Sequence, residues 1–235
     1  MNSRLIRLAF VFGLSGSSLF AGEFANLDFE QAPSAFLTIE LGPFGTTERM
    51  ETLLTNWTFS LGHETQSHLG FNLSSLDQIL SSLHDRRPFG PRFNPFPSPP
   101  IQGDFGFIFR TQITDPSKLP SLAQKGTLPL EIRMIRIRVF GDPVKLLLNG
   151  TSIPMRYDLL PLPKEQSPYL PLTLAYANVS AFAGKEVTLR FEPDWKHAIR
   201  RFSGIDQIEF LNETLVMSES RGRDEENPII LRRLK

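Results

Sequence analysis

The sequence has no cysteine. That absence excludes a disulfide framework, a thiolate metal site, a cysteine nucleophile and a lipidated cysteine anchor. It also lacks net charge: 25 Lys and Arg stand against 25 Asp and Glu in 235 residues, with the signs interleaved. A nucleic-acid binder carries a basic footprint, and none is present. No stretch approaches the roughly 18 consecutive apolar residues of a membrane-spanning helix. The Gly-x-Ser-x-Gly elbow of an esterase is missing, as is a glycine-rich phosphate loop. What remains is 40% apolar, enough to fill a real core, with 19 Pro, 16 Gly and 20 Phe. That composition suits a loop-rich, all-β domain.

The start of the chain reads as an address. Met1 to Arg7 carries Arg4 and Arg7 and no acid, Leu8 to Leu14 is apolar, and Ser15 to Ala21 is small or apolar. This is the pattern of a secretory signal peptide over residues 1–21, cut after Ala21, with Ser18 and Ala25 as alternative cut points. Removing it leaves 23 bases and 25 acids, a mature chain near −2. The expected location is outside the cytoplasmic membrane, secreted or periplasmic, with no span in the mature protein.

Downstream, period two dominates. Trp57 to Leu61, Phe105 to Arg110 and Val187 to Glu192 alternate apolar with polar, so each predicts a strand with one buried face. Leu130 to Phe140 holds apolar residues of both parities, which predicts a β-bulge near Met134 and Ile135. Asn149-Gly150 between two apolar runs predicts a hairpin with a type I′ turn. Ile205 to Leu211 predicts the last strand. Residues 73–84 fit a helix face (Leu73, Leu76, Leu80, Leu83) or a weakly alternating strand. His84 to Pro100 carries six prolines and predicts a loop, because proline cannot donate to a ladder. Many short strands with turn signals between them predict a single jelly-roll β-sandwich over residues 22–212. The polar, charged residues 213–235 predict a flexible tail.

Catalytic templates fail. His63 and His68 in His-Glu-Thr-Gln-Ser-His are five apart, which on a helix leaves the rings about 140° from each other. Asp194, Asp206 and Glu209 lie close in sequence, but a glycosidase pair must flank one cleft. The expectation is therefore no catalytic residue and no required cofactor. Binding is the better reading. Trp57 opens an alternating strand and predicts core packing. Trp195 follows Pro193-Asp194 in the loop between the last two strands, beside His197 and Arg200. Loops held by a rigid sandwich are where such folds bind, so Trp195, His197 and Arg200 are the candidate ligand-binding residues.

Asn26-Leu-Asp-Phe-Glu30 near the start and Gly204-Ile-Asp-Gln-Ile-Glu-Phe210 near the end carry a resemblance. So do Asn178 to Phe191 and Ile101-Gln-Gly-Asp-Phe-Gly-Phe107. Together they resemble the galactose-binding-like jelly-roll sandwich of carbohydrate-binding modules. More narrowly, the chain is similar to exported bacterial proteins of the PEP-CTERM-associated type, here without the sorting tail. The resemblance implies a structural calcium held by Glu30 and Asp206 where the first and last strands meet, with backbone carbonyls completing the shell. The expected partner is polysaccharide or cell-envelope glycan, bound by a non-catalytic module. A structural or matrix protein with no small ligand, and an accessory glycan hydrolase, are the alternatives.

Overall fold

The computed structural model describes residues 23–32, 46–71, 81–85, 103–110, 115–160, 172–198 and 202–213. The expected signal peptide, residues 86–100 of the proline-rich segment, Arg200 and nearly all of the charged tail lie outside the described residues.

The strands run, in chain order, β1 Thr46–Arg49, β2 Thr58–Leu61, β3 Glu64–Thr65, β4 His68–Phe71, β5 Ser81–Asp85, β6 Phe105–Arg110 and β7 Pro120–Thr127. They continue with β8 Met134–Gly141, β9 Val144–Leu148, β10 Thr151–Ile153, β11 Met155–Leu160, β12 Leu172–Asn178, β13 Glu186–Pro193 and β14 Phe202–Leu211. A single helical turn, α1 (Met50–Leu53), follows β1. Two sheets result. One has eight strands in the order β1-β4-β5-β6-β14-β8-β12-β11, and the other has six, β10-β9-β13-β7-β2-β3. Every pairing is antiparallel except β4 with β5. The all-β sandwich expected from the alternation is the observed fold.

The core forms between the sheets. Phe59 and Phe191 come from the six-stranded sheet, and Phe71, Phe105, Phe107 and Phe109 from the eight-stranded one, all buried. Trp57 and Phe29 complete this layer, their ring centroids 5.6 Å apart, and Phe107 packs 4.8 Å from Phe109 edge to face. Such aromatic side chains contribute about 1.5–3 kcal/mol each on full burial, and edge-to-face pairs add to that.

Several expectations need correction. β6 buries both faces, because Ile108 packs with Phe140 and Leu172 in a small second cluster behind the sheet. The bulge predicted near Met134 is absent. Leu130 stands exposed in a turn that the Ile132 N–H closes onto the Pro129 carbonyl, and β8 starts only at Met134 with regular register. The irregularity lies on the partner strand instead, between Asp206 and Ile208, where Gln207 adopts φ 43°. The ambiguous 73–84 segment ends in strand β5, which takes in His84 and Asp85 from the expected loop. The Asn149-Gly150 hairpin forms as expected, with φ 49° and 80° at its two central residues.

Candidate functional site

The opening residues 26–32 form turns rather than a strand. Asn26 and Phe29 take φ 51° and 65°, which breaks the extended path a strand would need. The Asn26 side chain accepts from the Gln31 N–H at 3.0 Å, and its carbonyl accepts from Trp57 Nε1 at 3.0 Å. The Leu27 carbonyl accepts from the Ile208 N–H just past the β14 bulge. The opening segment therefore meets the last strand, and its Phe29 is driven into the aromatic core.

Glu30 is the anchor of this arrangement. Its Oε1 accepts from the Asp104 N–H at 2.8 Å and the Phe105 N–H at 3.0 Å, and its Oε2 accepts from Asp104 at 3.0 Å. Gly103 sits at φ +83°, and a Cβ there would lie 2.4 Å from Glu30 Oε1. Only glycine lets the backbone come this close to the carboxylate. Asp206 is fully buried on β14, opposite Arg138 of β8 in register. Calcium prefers six to eight oxygen ligands. Here both Glu30 oxygens are engaged with backbone amides, and no three His, Asp or Glu side chains converge among the described residues. These side chains make a backbone latch, and two carboxylates alone leave a calcium shell incomplete.

The second place is the turn after β13. The Asp194 N–H donates to the Pro143 carbonyl at 2.9 Å, the Asp142 N–H to the Phe202 carbonyl at 3.0 Å and Ser203 Oγ to Pro143 at 3.3 Å. These bonds tie the β8–β9 turn, the Trp195 turn and the start of β14 together. Tyr157 Oη also donates to the Val144 carbonyl. Burial raises the phenol well above its ordinary value, against the lowering effect of that hydrogen bond, and the Asp194 charge adds to the rise. On this base Trp195 is half-buried, with Lys196 Nζ 5.8 Å from its ring centroid. Asp194 bonds to His197 Nδ1 at 2.7 Å and lies 3.2 Å from Lys145 Nζ. Burial pushes its carboxyl up, but the His197 and Lys145 partners outweigh that and hold it below the usual range. The structure brings Trp195 and His197 together, whereas Arg200 lies outside the described residues.

A third feature was missed in the sequence. Where β1 closes one sheet and β3 the other, α1 and the β2–β3 hairpin leave a cleft of about 300 Å³ at the sandwich edge. No motif marks it, because its lining is drawn from ordinary residues between Arg49 and Ser67.

No protein-family profile matches this sequence. No curated protein matches it either. Among solved structures, the enzymatically active domain of bacteriophage CBA120 tailspike protein 4 overlaps with 66% of this chain, at 10% identity and a TM-score of 0.34. This chain spans 19% of the tailspike chain's length. At that score the overlap is too loose to transfer fold detail or activity.

Proposed function

We propose that this protein is an exported, non-catalytic β-sandwich that binds polysaccharide or cell-envelope glycan through the turn after β13. The observation that carries the reading is Trp195 itself, a half-buried indole on a turn fixed to the β8–β9 turn by the Asp194 N–H on the Pro143 carbonyl. An indole face suits the C–H face of a sugar ring, and the adjacent Asp194, His197 and Lys145 supply an acceptor and donors for hydroxyls. The three acids that stand close in sequence support a non-catalytic role. Asp206 is fully buried, Glu209 is ion-paired with Arg136, and Asp194 is held by His197 and Lys145. No helix among the described residues is long and apolar enough to cross a membrane.

Retention of the purified chain on insoluble polysaccharides, lost in Trp195→Ala, is the expected result. Retention that survives Trp195→Ala would move the reading to a matrix protein, and release of reducing sugar would move it to a hydrolase. Export predicts that secreted material has an intact mass starting near Gly22, and a retained Met1 would overturn it.

A further inference from the structure

We propose that the cleft beside α1 is a second binding site, for a neutral sugar of one ring or a short chain end. Its walls are fixed by backbone. The Met50 N–H donates to the Ser67 carbonyl at 2.9 Å, the Gln66 N–H to Phe59 at 2.9 Å and the Trp57 N–H to Leu54 at 3.1 Å. Its floor is apolar, made by the narrow exposed edges of Met50 and Trp57, 6% and 5% exposed, over the fully buried Leu54. The one polar atom of the Trp57 ring points inward to the Asn26 carbonyl, so the indole offers the cleft only carbon.

The rim is polar and electrically balanced. Arg49 Nη1 and Glu51 Oε1 pair at 2.9 Å, and both side chains are largely exposed. Asn56, Thr58 and Thr65 line the same cleft, are exposed, and make no side-chain hydrogen bond among the described residues. Amide and hydroxyl groups both donate and accept, as the hydroxyls of a sugar do. An apolar floor under such a rim is what a sugar ring, with its C–H face and its ring of hydroxyls, requires.

Other ligand classes fit less well. One guanidinium already neutralised by one carboxylate does not select a phosphate or a nucleotide. A single carboxylate cannot build a divalent-cation cage, nor can it form the two-acid pair of a glycosidase. About 300 Å³ is the lower end of ligand pockets, room for roughly one or two sugar rings. The choice of a sugar among neutral polyols rests on the glycan-binding reading above. The location does not, because the cleft shares no residue with the Trp195 turn.

The chain has two tryptophans, so Trp195→Phe leaves Trp57 as the only indole. Full-length Trp195→Phe protein is titrated with glucose, galactose, mannose and N-acetylglucosamine and with their disaccharides. Trp57 emission and saturation-transfer NMR of the sugar are followed together. For ligands this small we expect saturable binding with Kd on the order of millimolar for at least one probe. In the same background Asn56→Gly with Thr58→Val should weaken that binding by about tenfold or more. Thr65→Val alone provides a second, milder test. Absence of a saturable response to every probe overturns the site, as does undiminished binding in both variants. If Trp195→Phe protein binds small sugars while the wild type is retained on no polysaccharide, the cleft stands and the Trp195 reading falls. The opposite pair of results removes the cleft alone.

Discussion

Glu30 and Asp194 are both acids in turns beside strand ends, and their partners differ in kind. Glu30 accepts from the backbone amides of Asp104 and Phe105, over the buried rings of Phe29 and Phe107. Asp194 is bonded to side chains, the exposed His197 and the partly exposed Lys145. An acid on backbone amides fixes a chain path, since those donors cannot rotate away. An acid on flexible side chains shapes a surface that water and ligands can reorganise. The opening turn is thus a structural latch, and the Trp195 turn is a surface held by side chains.

The contrast can be broken first at the aromatic layer under the latch. Phe107→Ala should cost about 3–5 kcal/mol, read as a lowered urea midpoint, because Phe107 is fully buried and touches Phe29, Phe59 and Phe109. A loss below 1 kcal/mol would mean that the layer repacks freely. Next comes the latch. Glu30→Gln should cost about 1.5–3 kcal/mol, the range for hydrogen bonds to a charged group. The same loss should appear in calcium and in chelator. If it vanishes on metal-stripped protein, Glu30 is a metal ligand after all.

The smallest effect belongs to the turn. Asp194→Asn should cost about 0.2–1 kcal/mol, because its partners His197 and Lys145 are exposed or partly exposed and water screens the pairs. Its pH dependence has a definite sign. The folded carboxyl titrates below 3.8, so its contribution is present above that value and is lost as acid protonates it. Thermal melts of wild type and Asp194→Asn should therefore converge as the pH falls below about 4. Divergence on acidification would contradict the assignment.

Legibility in the sequence followed locality. Asn149-Gly150 was readable because two adjacent residues with positive φ decide the turn by themselves. The Trp195 turn was readable for a similar reason, as the clear alternation of β13 runs to Pro193 and stops there. The bulge was assigned to the wrong strand. Ile205 and Ile208 are both buried though three apart, and that odd spacing was the available signal. The opening segment failed as a strand because Phe29 sits at positive φ, a conformation that phenylalanine gives no hint of. Nothing local marks Glu30 as a latch, since its amide donors lie 74 and 75 residues away. The edge cleft was invisible for a different reason: its lining is close in sequence, between Arg49 and Ser67, but consists of ordinary residue types in no recognisable spacing.

The place of β14 has a consequence for how the protein is made. It is the last of the described strands, yet it lies between β6 and β8 in the middle of the larger sheet. A chain emerging from the ribosome cannot join the two halves of that sheet until residues 202–211 are free. Until then β6 and β8 each present an unpaired edge, a template for pairing with another chain. Closure couples segments about a hundred residues apart, which makes folding slow and concerted. The larger sheet therefore stays divided for as long as β14 is held back. Removing β14 would leave a chain with two exposed sheet edges rather than a smaller stable domain.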